Sequence, residues 1–241
     1  MHGHNMITTV IFDLDDTLYD EIEYCKSGFT AVAKFLANRP ESASVKTSTT
    51  SDIIRHISET FREQFSSGNR TRTFNAALEK LDISYSDQLI LELIEVYRHH
   101  KPTITLPQDS RDVLRELTKK YTLALLTDGF LPAQELKVQA LEIEQFFKAI
   151  VYTEELGRQF WKPSPVGYEK IIQQLGAKTE NTVYVADNEK KDFIAPNKLG
   201  FTTIKILRPA RLHSSACGPT EASAQHTITQ LNQLFGLLER L

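Results

Sequence analysis

Five short apolar runs constrain this chain more than any other feature. They are Ile7–Phe12, "TLALLT" (Thr122–Thr127), "AIVYT" (Ala149–Thr153), "TVYVAD" (Thr182–Asp187) and "FTTIKIL" (Phe201–Leu207). Short continuous runs rich in β-branched and apolar residues suit strands buried on both faces. Segments of helical period fall between most of them, at Asp109–Lys119, Pro132–Leu141, Pro165–Leu175 and Lys190–Leu199. Strands alternating with helices of this length imply a parallel sheet covered on both sides, a three-layer α/β core. "HTIT" adds a short strand near the end, and "QLNQLFGLLERL" a closing amphipathic helix.

The alternation breaks once, between the first strand and the "PQDSRDVLREL" helix. In "DIIRHISETFREQF" the residues Ile53, Ile57, Phe61 and Phe65 recur every four positions, and in "SDQLILELIEVYRHH" Leu89, Leu93, Ile94 and Tyr97 form a similar stripe. "EYCKSGFTAVAKFLA" and "TFNAALEKL" are two further helices, with "NRPESASVKTSTTSD" and "SSGNRTRT" as loops. Such stripes are the core of a helix bundle. The expected organisation is an α/β domain of residues 1–20 and 101–241 with an all-helical domain, 21–100, inserted after its first strand.

Composition excludes several classes of function. With 241 residues, 41% of them hydrophobic and 24% charged, the chain is an ordinary globular one. A net charge of −3 gives no electrostatic case for nucleic acid. No apolar run reaches the roughly 20 residues a membrane helix needs, so no membrane is expected. Cys25 and Cys217 have neither metal nor redox spacing, which points to a reducing cytoplasm. His2 and His4 read as a leader ahead of Met6 rather than as metal ligands.

In a parallel sheet of this kind ligands bind beyond the carboxyl ends of the strands. The first strand delivers Asp13 and Asp15 there, the second Thr127, Asp128 and Gly129, and the fourth Asp187, with Asp192 five residues on. Lys162 follows the third strand in "FWKPSP". Three carboxylates sharing one site require a cation, or else one of them must hold its proton. Mg²⁺ fits, because it binds carboxylates, waters and phosphate oxygens. Asp16 and Asp109 read as solvated turn or cap residues, and Asp20 and Glu21 as hinge residues.

These residues resemble the four motifs of the haloacid dehalogenase-like (HAD) hydrolases. "VIFDLDDTL" is similar to the first, two aspartates one residue apart with a threonine two further on. "LALLTDG" is similar to the second, "KPSP" to the third and "VYVADNEKKDF" to the fourth. They occur in the family's order from Val10 to Asp192, and the helical insertion resembles a C1-type cap. One departure is Ala186, where the family commonly has glycine.

The resemblance implies a Rossmann-like core and a set of roles. Asp13 would be the nucleophile and a Mg²⁺ ligand. Asp15 would be the general acid and base, its backbone carbonyl also reaching the metal. Thr127 and the backbone N–H groups of Asp128 and Gly129 would bind phosphate together with Lys162. Asp187 would complete the direct metal ligands, with Asp192 and Thr17 in support. Asp15 argues against a dehalogenase, which needs no acid at that position.

The expected activity is hydrolysis of a small phosphorylated metabolite through an aspartyl-phosphate, the helical cap excluding large substrates. A phosphotransferase or mutase, or a non-catalytic HAD-like binding protein, are the alternatives. Lys26, Arg70, Arg72 and Arg158 are cationic candidates for recognition on the cap side, and Phe160 and Trp161 for a pocket wall or for core packing.

Overall fold

The computed structural model describes residues 6–45, 49–212 and 220–241. In chain order the elements begin with β1 (Thr9–Phe12), α1 (Glu21–Ala37), α2 (Thr50–Ser66), α3 (Thr73–Lys80), α4 (Asp87–His99), α5 (Gln108–Leu117) and β2 (Thr122–Thr127). They continue with α6 (Ala133–Leu141), β3 (Ala149–Tyr152), α7 (Val166–Leu175), β4 (Thr182–Ala186), α8 (Ile194–Leu199), β5 (Thr202–Ile206), β6 (His226–Ile228) and α9 (Gln233–Leu238). His2, His4 and Cys217 lie outside the described residues.

The chain forms two compact units, one of Met1–Ile22 with Thr105–Leu241 and the other of Glu23–Ile104. The first holds a six-stranded sheet in the order β3-β2-β1-β4-β5-β6, every neighbouring pair parallel. The apolar runs explain this: β1 and β4 are buried along their whole length. Helices cover the sheet, and one core cluster joins Ile11, Leu126, Val151, Tyr168, Tyr184 and Phe201. The strand order reverses at β1, between β2 and β4, the kind of switch point where open α/β sheets bind ligands. Pairing sets Phe12 against Leu125 and Val185. The residues just beyond those positions therefore emerge side by side.

The helix expected at Lys190–Leu199 begins only at Ile194. The missing turn is spent on a loop. The Asp192 carboxylate accepts the Asn188 N–H at 3.0 Å, and the Asn188 carbonyl accepts the N–H groups of Lys191 and Asp192.

The second unit packs α1 to α4 around aromatic rings. Phe29 lies 6.0 Å from Phe61, 5.6 Å from Phe65 and 5.7 Å from Tyr97, ring centre to ring centre. Two helices are capped by their own sequence: Thr49 accepts the Asp52 N–H and Ser86 the Leu89 N–H. This unit closes at Ile104 rather than at residue 100. The Thr103 N–H donates to Ser27 Oγ at 2.8 Å, which ties the exit strand of chain to α1. No helix among the described residues is long and apolar enough to cross a membrane.

Candidate active site

Asp13 follows directly on β1, and its N–H still donates to the Val185 carbonyl of β4. The strand ladder thus fixes where its carboxylate stands. Oδ1 meets Lys162 Nζ at 2.5 Å, and Oδ2 accepts the Thr17 hydroxyl at 3.2 Å. Lys162 also donates to Asp192 Oδ1 at 2.7 Å and to the Tyr184 hydroxyl at 3.1 Å. Tyr184 in turn donates to Asp192 Oδ1, and the Tyr168 hydroxyl to the Asp192 carbonyl. All of these groups are buried.

The carboxylates of Asp13, Asp187 and Asp192 offer oxygens that lie within 4.8 Å of one another. Lys162 pairs with two of these acids and does not balance all three. Burial, then the charges of Asp192 and Asp13, push the Asp187 carboxyl up to about 9. Burial also raises Asp13 to about 6, with Lys162 opposing. Burial works against the Lys162 ammonium, but Asp13 and Asp192 outweigh it and hold that group well above its ordinary value. Asp187 Oδ2 is buried without a hydrogen-bond partner among the described residues. An orphaned carboxylate oxygen on one of three clustered acids is what a hard divalent cation satisfies, so the residues fit Mg²⁺. Ala186, wholly buried at the end of β4, leads into this corner.

Asp15 has a separate set of partners. Lys137 Nζ lies 2.9 and 2.8 Å from its two oxygens. The Tyr19 hydroxyl donates to Oδ1 at 2.6 Å and Gln134 Nε2 to Oδ2 at 3.0 Å. Burial raises this carboxyl, but the Lys137 charge and these hydrogen bonds outweigh it, so Asp15 titrates below the ordinary range.

At the end of β2, Thr127 meets Gln134 Nε2 at 2.5 Å. Asp128 is more than a turn former. Its Oδ1 accepts the Thr153 hydroxyl at 2.8 Å and the Lys162 N–H at 3.2 Å, and Lys191 stands 3.4 Å from Oδ2. It thereby pins the loop that carries Lys162. Gly129 has φ 144°, and a Cβ there would lie 2.7 Å from Gln134 Cδ. Only glycine accommodates both that backbone angle and the amide lying over it.

Two expectations, for Asp16 and Arg158, need correction. Asp16 is not solvated: it is 1% exposed, with φ 53°. Its oxygens accept the N–H groups of Glu21 at 2.9 Å and Leu212 at 2.6 Å, so the tight turn after β1 aims it inward. Asp20 pairs with Arg208 at 2.6 Å. Arg158 lies in the α/β unit, not on the helical insertion, and pairs with Glu154 while stacking 4.5 Å over the Phe130 ring. Trp161 also packs on Phe130 and donates to Glu154. Lys26 and Arg72 pair with Glu23 and Glu79, and Arg70 lies over the Phe65 ring.

Sequence reasoning missed Gln134, Lys137, Tyr184 and Lys191. A signal existed for the first two. They sit three apart on the face of α6 that also carries Ala133, Val138 and Leu141. Polar residues in a core stripe need partners.

A family model described as haloacid dehalogenase-like hydrolase matches residues 10–206. A protein of Methanopyrus kandleri named glyceraldehyde 3-phosphate phosphatase is 28% identical over 206 residues, covering 84% of this chain and 85% of that protein. Pyrophosphatase PpaX of Bacillus mycoides is 26% identical over 98% of both chains. The crystal structure of a 2-haloacid dehalogenase from Pseudomonas syringae pv. Tomato superposes with a TM-score of 0.62 at 23% identity, covering 98% of this chain and 99% of the other. That last likeness speaks to the fold alone.

Proposed function

Because the chain belongs to the haloacid dehalogenase-like hydrolases, we propose that it is a Mg²⁺-dependent phosphatase acting on a small phosphorylated metabolite through an aspartyl-phosphate on Asp13. One observation carries this reading. The Asp13 carboxylate is shared between a three-acid cluster and a buried lysine. That arrangement suits a nucleophile that must approach a charged phosphoryl group.

In the first step an Asp13 oxygen bonds to phosphorus as the ester oxygen leaves, taking a proton from Asp15. Thr127, the backbone N–H groups of Asp128 and Gly129, and Lys162 stabilise the phosphoryl oxygens. Water then attacks the phosphorus of the aspartyl-phosphate and gives its proton to Asp15, releasing inorganic phosphate and free Asp13. Once it has protonated the leaving group, Asp15 is ionised beside Lys137, the state that takes the water's proton, and the proton it regains serves the next turnover. Mg²⁺ held by Asp13, Asp187 and the Asp15 carbonyl, with Asp192 behind, would neutralise phosphoryl charge and make the phosphorus electrophilic. The acid at Asp15 separates this chemistry from dehalogenation, in which halide leaves without a proton.

The names of the relatives make glyceraldehyde 3-phosphate and pyrophosphate the first substrates to try. The cysteine usage fits action in the cytoplasm. Purified protein should hydrolyse p-nitrophenyl phosphate with Mg²⁺ and lose that activity with EDTA. Asp13→Asn should lower kcat by about 10³-fold or more. An Asp13→Asn variant with full activity sinks the mechanism.

A further inference from the structure

Two buried polar residues of α6 have no part in the reaction as written, and both are directed at Asp15. The Lys137 ammonium engages both oxygens of that carboxylate, its own side chain 4% exposed. Gln134 is buried too, and its amide nitrogen lies within hydrogen-bond distance of three oxygens: Asp15 Oδ2, Thr127 Oγ1 and the Asp128 carbonyl. Burying an ammonium costs several kcal/mol before its partner repays it. A methionine or leucine would fill the same core position without that cost. Gly129 is matched to the arrangement, since any Cβ there would collide with the Gln134 side chain.

The consequence is mechanical. Asp15 belongs to the loop after β1 and Thr127 to the end of β2. One amide joins them, and one ammonium fixes the plane of the carboxylate. A displacement of about 1 Å in a reacting group costs on the order of 10² in rate.

We propose that Lys137 and Gln134 are positioning residues, which lock the Asp15 carboxylate and the Thr127 hydroxyl into a single rigid constellation. The proposal rests on the phosphatase reading. It places the control of acid–base geometry on α6, outside the four family motifs.

A double-mutant cycle with Asp15→Asn tests it. The assay is p-nitrophenyl phosphate hydrolysis with Mg²⁺, whose acidic leaving group keeps Asp15→Asn measurable. Lys137→Met should lower kcat by about 30- to 100-fold with KM changed less than about 3-fold. Lys137→Arg, which can still engage both oxygens, should restore most of the loss. In the Asp15→Asn background Lys137→Met should cost nothing further, because the group it positions is gone. Losses that multiply across the cycle, or a Lys137→Met kcat within about 3-fold of the parent, overturn the proposal. If Lys137→Met does not give a native circular dichroism spectrum, Gln134→Met replaces it, since it leaves no unpaired charge. Its kcat loss should shrink in the Asp15→Asn background, and an undiminished loss overturns the proposal. An unmutated protein inert towards p-nitrophenyl phosphate and the two substrates named above overturns the phosphatase reading itself, and this proposal with it.

Discussion

The acids of the turn after β1 share a formal charge and differ in everything that decides their behaviour. Asp13 is raised to about 6 by burial, and Asp15 is held low by Lys137 against the pull of burial. Asp16 is raised by burial although two backbone N–H groups stabilise its charged form. Its spacing suggested an exposed residue, for which Ala would cost less than about 0.5 kcal/mol. The structure gives it a structural task. Asp16→Ala strands the N–H groups of Glu21 and Leu212 and places Ala in the left-handed region, at φ 53°. Those losses together should cost about 2–4 kcal/mol. Urea unfolding of Asp16→Ala and Asp16→Asn measures this, the Asn variant keeping part of the stability. A midpoint unchanged in Asp16→Ala would return the residue to the surface.

At the scale of the element, the same competition between local preference and packing decides Gly28 in α1. Replacing a helical glycine by alanine gains about 1 kcal/mol from propensity alone. Here a Cβ would collide with the Tyr97 ring and lie 3.2 Å from His100 Cε1. Overpacking of this kind costs about 1–3 kcal/mol. Gly28→Ala should therefore destabilise by up to about 2 kcal/mol on balance, read from the urea midpoint. A raised midpoint would mean that the ring swings aside freely. Legibility follows the same division. The strands were readable because a doubly covered strand needs a continuous apolar run, and β2 falls where its run does. The helices of the insertion were readable from their apolar stripes. The late start of α8 was not, because Lys190 to Phe193 look helix-competent until the hydrogen bonds of the Asn188 and Asp192 side chains are seen. Nor was the Thr103 N–H bond to Ser27, whose partners lie 76 positions apart in the chain.

For the whole molecule, the sequence displayed the acids and the lysine that meet beyond β1 and β4, since each directly follows a recognisable strand or its loop. It did not display the imbalance of charge they create, which depends on distances and burial. That imbalance makes stability depend on pH and on metal. In metal-free protein the carboxyl of Asp187 titrates at about 9, Glu21 at about 7 and Asp13 at about 6. Their unfolded values lie near about 4. Between those limits the folded chain holds more protons than the unfolded one, so stability falls as pH rises. The contribution is complete below about pH 4, and it is lost in steps through about 6, 7 and 9. Asp15 and Asp128, held below the ordinary range, act in the opposite sense: they stabilise above about pH 4 and lose that effect only in acid. From about pH 5 upward the raised group dominates. The Tm of EDTA-treated protein should therefore decline between about pH 5.5 and 8.5. Mg²⁺ competes with those protons for the same oxygens, so its gain in Tm should be larger at the higher pH. Asp187→Asn should flatten the decline and abolish most of the Mg²⁺ gain, because it removes the orphaned oxygen along with the charge. Calorimetric scans at the two pH values, with and without Mg²⁺, decide the matter. A metal-free Tm that climbs towards pH 8.5, or a Mg²⁺ gain that is larger in acid, would mean that these carboxylates do not share the charge-starved corner drawn here.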